Sequence, residues 1–233
     1  MTSEERRASI IDRIPGSYRP AIHFGVPGLF GVAVLVACIA GLRAPTLVEL
    51  AAIPVTLFGG FAFEWRVHRD VLHRETWPMG LLYRRHELAH HVVYTYDDMQ
   101  MRSWRELGLI LMPVPAIFIV FGMTVALALG VGALLGVNVA LLFVATAMVF
   151  FLSYEWLHAA YHLSDSSFVG RIGFVRRLRE LHRRHHDPRL MKKWNFNVTV
   201  PVFDWLRGTL WSPERAAARD EARERRRAGA HAG

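Results

Sequence analysis

Four long apolar stretches are the feature of this sequence that most restricts its fold. Each comes close to the roughly 20 helical residues that cross a hydrocarbon core of about 30 Å. Hydrophobic residues make up 52% of the 233-residue chain, and they are concentrated in these runs. We therefore predict an all-α polytopic membrane protein with about four transmembrane helices. The predicted spans are residues 22–42, 46–63, 107–129 and 133–157.

The distribution of lysine and arginine predicts how these spans are oriented. Short connectors at residues 43–45 and 130–132 join the spans as two hairpins, and they carry one arginine and no basic residue, respectively. The other 27 of the 28 basic residues lie before the first span, between the hairpins or after the last span. By the positive-inside rule, both termini and the central loop are cytoplasmic.

Composition also predicts the location and the domain limits. Arginine outnumbers lysine by 26 to 2 and alanine is abundant, which is typical of GC-rich bacterial genomes. We expect an integral protein of a bacterial plasma membrane. Residues 1–211 are predicted to form one membrane domain, and residues 212–233 are predicted to form a basic, flexible tail because they contain few apolar residues.

The net charge of +8 raises the question of nucleic-acid binding. The basic residues adjoin apolar spans, where contact with anionic lipid headgroups explains them. The chain has no nucleic-acid recognition motif. We therefore expect the bilayer, and not a nucleic acid, to be the partner of this charge.

Ten of the twelve histidines form four tight clusters beside the spans, which leaves only His23 and His231 outside. Imidazole is the commonest protein ligand for iron, zinc and copper, and eight or more at one site would hold two metal ions. The predicted topology places all four clusters in one cytoplasmic cap. The predicted metal ligands are His68, His73, His86, His90, His91, His158, His162, His182, His185 and His186.

Helical spacing predicts which histidines point at one centre. Residues three or four apart share a helix face, so His86 with His90, His158 with His162, and His182 with His185 and His186 are predicted partners. His68 and His73 are five apart, about 140° around an ideal helix, so we expect the helix to end or distort there.

Carboxylates near the clusters are candidates to orient the ligands, since a metal-bound imidazole usually donates its other N–H to an acceptor. Glu155 ranks first because it precedes His158 and His162 by about one and two turns. Glu64 and Asp187 are the other candidates, by proximity in sequence.

The letters HELAH at residues 86–90 match the HExxH motif of zinc proteases, in which the glutamate activates water. A protease needs about three protein ligands, whereas ten histidines are clustered here. We interpret the match as accidental. A membrane zinc protease and a non-catalytic metal-binding protein remain the alternatives to an enzyme with two metal ions.

Taken together, the clusters resemble those of the fatty acid hydroxylase and sterol desaturase superfamily. That pattern has two ligands five apart, a cluster ending in HH, HxxxH after the last hairpin, and then HxxHH. The resemblance extends from about residue 64 to residue 210 and includes YEWLHAAYHL and NFNVTVPVFDWLRGTL. It is greatest with fatty acid 2-hydroxylases. The departures are HxxxHH in the second cluster and Asn197 where glycine is common.

The resemblance implies a membrane-bound non-haem di-iron monooxygenase. Its cofactors would be two iron ions, which zinc can replace in purified samples, with molecular oxygen as co-substrate. Electrons would come from a separate ferredoxin or cytochrome. The implied reaction is hydroxylation of a fatty acyl chain in a membrane lipid. Desaturation of a lipid or sterol, or hydroxylation of a carotenoid, is possible on the same scaffold.

Overall fold

The computed structural model describes residues 1–230, most of which are helical and none of which form a strand. Most are α-helices, and two short segments, His68–Leu72 and His86–His90, are π-helices. The 3-10 turns are Trp104–Glu106 and Val169–Arg171. The α-helices are α1 Ser3–Ile11, α2 Pro20–Gly41, α3 Leu47–Leu50, α4 Ala52–Val67, α5 Gly80–Arg85, α6 His91–Val93, α7 Leu107–Ile110, α8 Val114–Leu135, α9 Val137–Tyr161, α10 Gly173–His185, α11 Val202–Leu206 and α12 Pro213–Ala230.

Four helical segments are long and apolar enough to cross a membrane, which confirms the predicted fold class. Many of their side chains are exposed, such as Leu29 at 74% and Phe118 at 71%, as expected for surfaces that face lipid. The protein is therefore an integral membrane protein. The spans are Pro20–Gly41, Leu47–Leu72, Val114–Leu135 and Val137–Tyr161.

The second hairpin turns at Gly136 and not at the predicted residues 130–132. Gly136 has φ of 94°, a conformation that glycine adopts without the steric penalty of a side chain. The two hairpin tips meet, because Arg43 N donates to Asn138 Oδ1 at 3.0 Å. The histidine clusters lie at the other end of the bundle.

The largest differences from the predicted span limits are at the start of the third span and at the end of the second. The third span begins at Val114 and not at residue 107, because the extended backbone at Pro113 separates it from α7. The second span does not stop at residue 63 but continues through Glu64 to Leu72. Glu64 is buried and its carboxylate is hydrogen-bonded, so the charged side chain does not end the helix.

Helix α9 is the centre of the bundle and packs against α2, α4 and α8. Glycines permit the close approach of two of these helices. A Cβ at Gly31 would lie 2.9 Å from Leu152 Cδ1, and one at Gly60 would lie 3.0 Å from the ring of Phe150. Because α9 is held on several sides, the histidines at its end have a fixed position.

The remaining helices close over the end of the bundle that carries the histidines. Tyr94 and Leu107 belong to one buried apolar cluster with Ile10 of α1, and Tyr161 belongs to another with Leu178 of α10. Helix α12 lies against the cap, where the Arg219 guanidinium is 5.1 Å from the centroid of the Trp194 ring. The division at residues 211 and 212 stays a prediction, and His231 lies outside the described residues.

Candidate metal centre

A π-helix places His68 and His73 on the same side of the second span. The segment His68–Leu72 is a π-helix, and His73 follows it with φ of −106° and ψ of 7°. The two rings stack with centroids 5.1 Å apart. The distortion predicted from the five-residue spacing is confirmed, and π-helical turns of this kind are frequent at functional sites.

A second π-helix, His86–His90, changes the pairing that helical spacing predicts. His86 Nε2 lies 3.1 Å from Nε2 of His91, five residues later, and 2.9 Å from Nε2 of His68. His90 turns instead toward His186, at 3.2 Å. The prediction that His86 and His90 share one centre was therefore wrong, because it assumed 3.6 residues per turn.

Nine of the ten clustered histidines form two groups of buried imidazoles, and within each group the candidate ligand atoms lie within 4.8 Å of one another. Helix α10 contributes to both, so the prediction that its three histidines share one centre was also wrong. The first group is His68, His73, His86, His91 and His185. The second group is His90, His162, His182 and His186.

His158, at the end of α9, lies beside the second group. Its Nε2 is 3.3 Å from Nε2 of His90, and its ring is 4.8 Å from that of His182. The two groups also touch, because the rings of His91 and His186 stack with centroids 4.1 Å apart. All ten predicted ligands therefore lie in one continuous cluster.

Acceptors behind the imidazoles fix the tautomers of five histidines. A carbonyl or an ionised carboxylate only accepts, so each Nδ1 donates and Nε2 keeps its lone pair. His73 Nδ1 donates to Glu87 Oε2 at 2.8 Å. The Nδ1 atoms of His68, His162, His185 and His186 donate to the carbonyls of Phe196, Met99, Trp194 and Tyr94, at 2.5, 2.8, 2.9 and 2.7 Å.

These tautomers fit a bound metal ion. His73 Nε2 and His185 Nε2 lie 2.8 Å apart, although both have their proton on Nδ1. Two lone pairs cannot hydrogen-bond to each other, whereas a cation bound by both nitrogens satisfies them. In the second group, the buried Nε2 of His162 has no hydrogen-bond partner in the described part of the chain. An unpaired buried acceptor aimed into the cluster is suited to the same role.

Burial keeps the histidines outside the spans neutral. Desolvation lowers the pKa of His185 and His186, and repulsion between neighbouring imidazoles lowers it further. The pKa of His73 is also lowered by burial, although Glu87 opposes the change. Neutral imidazole is the form that binds a metal ion. The pKa is likewise lowered in His86, His90, His91, His162 and His182.

A model of the fatty acid hydroxylase family matches residues 53–209, more than half of the chain. The protein belongs to the fatty acid hydroxylase family. All ten clustered histidines fall within the matched segment, and the resemblance seen in the sequence is confirmed. Neither a curated protein nor a solved structure matched the chain. Membership of this family indicates an oxidoreductase with a histidine-rich metal site.

In the part of the chain that the structure describes, Glu87 is the carboxylate that hydrogen-bonds directly to an imidazole. Burial would raise the pKa of Glu87, but hydrogen bonds from His73 and Lys192 outweigh that effect and lower it. Lys192 Nζ lies 2.6 Å from Glu87 Oε1. Glu87 therefore supports a ligand of the first group. Glu87 is the glutamate of HELAH, which the sequence pattern associates with activation of water in zinc proteases and not with support of an imidazole.

The three carboxylates predicted to orient the imidazoles bond elsewhere in the described structure. Glu155 accepts from the backbone N–H of Met112, at 3.1 Å, and Asp187 pairs with Arg189, at 2.7 Å. Glu64 accepts from Val198 N and Thr199 N, at 2.5 and 2.9 Å. Proximity in sequence did not identify the acceptor, because each of these carboxylates bonds a backbone or side-chain group other than an imidazole.

Glu64 acts instead on the loop that supports His68. Together with Asp204, which accepts from Phe196 N at 2.9 Å, it fixes residues 196–199. Asn197 is part of this frame, since its Nδ2 donates to Glu64 Oε2 at 3.0 Å and its Oδ1 accepts from Asp204 N at 3.2 Å. Glycine at this position could not make these side-chain bonds. The departure from the family pattern therefore stabilises the loop.

A buried ion pair that the sequence did not reveal supports the second group. Arg7 of α1 donates to Glu106 Oε2 at 2.5 Å, and the Tyr94 hydroxyl donates to the same oxygen at 2.9 Å. Arg7 also donates to Val93 O at 2.9 Å. Because Tyr94 O accepts from His186 Nδ1, this network fixes a backbone acceptor of the second group.

The arrangement of the HELAH segment does not match a zinc protease. That mechanism requires both histidines of the motif on one ion and a glutamate free to activate water. Here His86 and His90 belong to different groups, and Glu87 is engaged by His73 and Lys192.

Proposed function

We propose that this protein is an oxygen-dependent di-iron monooxygenase that hydroxylates a C–H bond in the acyl chain of a membrane lipid. The observation that carries the proposal is the pair of buried imidazole groups at the end of an apolar helical bundle. Membership of the fatty acid hydroxylase family supports the same reaction class. The proposal assigns one iron ion to each group, with His158 as a further ligand beside the second.

The imidazoles are the groups that would hold the metal ions. Burial keeps the imidazoles neutral. Where Nδ1 donates to a carboxylate or a carbonyl, Nε2 keeps its lone pair and directs it into the cluster. His90, His162, His185 and His186 have essentially no exposed surface, so bulk water is excluded from the reacting region. Exclusion of water protects a reactive oxidant from side reactions.

Bound iron would supply the activation of molecular oxygen and the cleavage of an unactivated C–H bond. Hydroxylation overall consumes the C–H bond, one O₂, two electrons and two protons, and yields an alcohol and one water. The electrons are proposed to come from a separate ferredoxin or cytochrome. The proposed setting is a bacterial plasma membrane with the cap and both termini in the cytoplasm.

A small cavity, of about 40 Å³, offers an apolar approach to the cluster. His86 and His158 line it together with Leu72 at the end of the second span and residues 109–113 before the third. The ring of Tyr154 also lines it, 5.9 Å from that of His158. An acyl chain entering from the bilayer would meet both histidines here without the lipid leaving the membrane.

The test is mass spectrometry of lipids from cells that express the wild type or His158→Ala and are grown with labelled oxygen gas. We expect one lipid class to gain one labelled oxygen atom in the wild type only. Thermal unfolding of both purified proteins establishes that the variant is folded, and their iron content shows whether the substitution removes metal. His185→Ala serves as a second variant from the first group.

Each other result would redirect the proposal. Loss of two hydrogens without label would indicate desaturation on the same scaffold. If both histidine variants formed as much labelled lipid as the wild type, the assigned site would be refuted. Proteolysis that Glu87→Gln abolishes would favour the zinc-protease alternative.

A further inference from the structure

A groove of about 760 Å³ lies on the side of the cap that meets the bilayer. It is bounded by the segment that joins α1 to α2, by the start of α8 and by the helix turn that carries Arg84 and Arg85. Because α2 and α8 are membrane spans that begin here, the groove opens at the level of lipid headgroups.

Four arginines give the groove a strongly positive wall: Arg13, Arg19, Arg84 and Arg85. Arg85 donates to Gly108 O, and Arg84 lies 3.7 Å from Glu75. Arg13 and Arg19 are exposed, and among the described residues only their backbone groups are hydrogen-bonded. Their guanidinium groups are therefore available to a ligand.

The rest of the groove is apolar. Ile22, Leu88 and Val114 line it and are 60%, 51% and 49% exposed. A positive wall beside an apolar wall matches an amphipathic ligand with an anionic head and a hydrocarbon chain.

The groove leads toward the histidines. Arg85, Leu109 and Pro113 line both this groove and the small cavity that contains His86 and His158. Arg85 directly precedes His86 in the chain. A head bound at the arginines would therefore start its acyl chain beside the entrance to the metal centre.

We propose that the groove binds the phosphate head of an anionic phospholipid and directs one of its acyl chains to the cavity at His86 and His158. Guanidinium groups bind phosphate oxygens in a bidentate manner, and several together suit a phosphate better than a single carboxylate. The proposal deepens the proposed function, on which the assignment of this lipid as substrate rests.

The segment 10–23, which builds one side of the groove, lies before the part of the chain that the family model matches. Arg13 and Arg19 are thus separated in sequence from the histidines, whereas Arg84 and Arg85 lie within the matched segment. This chain would set its substrate class through its own N-terminal segment.

The test is native mass spectrometry of lipids retained by the protein in nanodiscs of phosphatidylcholine that contain a minor fraction of phosphatidylglycerol. The groove variant is Arg13→Gln with Arg19→Gln. The matched control is Arg6→Gln with Arg171→Gln, which removes two exposed arginines outside the groove. We expect the wild type and the control to retain phosphatidylglycerol in preference to phosphatidylcholine. In the groove variant, this preference should fall about ten-fold.

Equal loss in both double variants would overturn the proposal, because it would indicate general attraction to a basic surface. Retention of added oleic acid in place of phosphatidylglycerol would overturn the phosphate assignment. The binding assay needs no turnover, so the two proposals fail separately. Retained phosphatidylglycerol without any oxidised lipid would refute only the monooxygenase, and oxidised lipid without arginine-dependent retention would refute only the groove.

Discussion

The two histidine groups differ in what lies behind their imidazoles. In the first group, a side-chain carboxylate, Glu87, accepts from His73 and is in contact with Lys192, which is 56% exposed. In the second group, the acceptors for His162 and His186 are the backbone carbonyls of Met99 and Tyr94. A carboxylate increases the basicity of its imidazole, whereas a carbonyl chiefly fixes its orientation. Besides the backbone carbonyls that accept from His68 and His185, the first group therefore has one side chain that adjusts an imidazole, whereas the acceptors for the second group are backbone carbonyls.

The supports of the two groups also come from different parts of the chain. Phe196 and Trp194, which accept from His68 and His185, belong to the C-terminal loop. The backbone around Tyr94 is fixed instead by Arg7, near the N-terminus. Changes at the two ends of the chain should therefore affect different centres.

The largest expected effect follows removal of one ligand from each group. His185→Ala and His186→Ala alter adjacent residues that belong to different groups. We expect each to lower the metal content from about two ions per chain to about one, and lipid oxidation to fall below detection in both. Elemental analysis of the purified variants and lipid mass spectrometry provide the two readouts. Complete loss of both ions from either variant would contradict separate centres.

Breaking the buried ion pair ranks second. Arg7→Ala leaves Glu106 buried without its cationic partner, which should cost about 3–5 kcal/mol in the free energy of unfolding. Arg6→Ala is the control, because Arg6 is exposed on the same helix, and it should change stability by about 0.5 kcal/mol or less. Chemical unfolding in detergent measures both. Similar values for the two variants would show that the pair does not support the cap.

The carboxylate of the first group should have a smaller effect. We expect Glu87→Gln to weaken metal binding by the first group about 10- to 100-fold and to leave the second group unchanged. Titration with a competing chelator resolves the two affinities. Glu180→Gln, which removes a partly exposed partner of Arg184, is the control. Equal weakening of both groups would show that Glu87 does not act on the first group alone.

Much of this arrangement could be predicted from the sequence, because apolar length and histidine spacing are local properties. They identified four spans, the ten histidines and the distortion between His68 and His73. The assignment of His90 and His91 to different groups could not be predicted, since it depends on a π-helix at residues 86–90.

Partners distant in sequence were also beyond local reasoning. Arg7 and Glu106 are 99 residues apart, and in the sequence each resembles an ordinary surface charge. The fold buries them together. Asn197 had the appearance of a simple departure from a motif. Its contacts with Glu64 and Asp204 exist only because the second span and the C-terminal loop meet.

The smallest expected effect is that of the C-terminal helix on the first group. Arg219 is exposed and contacts the Lys193 carbonyl and the ring of the buried Trp194, a contribution of about 0.5–1 kcal/mol. Removal of residues 213–233 should leave the hydrogen bond from His185 to Trp194 O, and lipid oxidation should stay within about two-fold of the wild type. A truncated protein that lacks first-group metal would show that the helix supports that centre.

The division of α10 between the two groups has a consequence for biosynthesis. His185 completes the first group, and His182 and His186 complete the second, so both depend on the same short helix late in the chain. When the ribosome begins α10, the four membrane spans and seven of the ten histidines have been synthesised, yet neither group is whole. Both groups can therefore be complete only after α10 has been made, and a chain interrupted before α10 carries two incomplete groups of imidazoles.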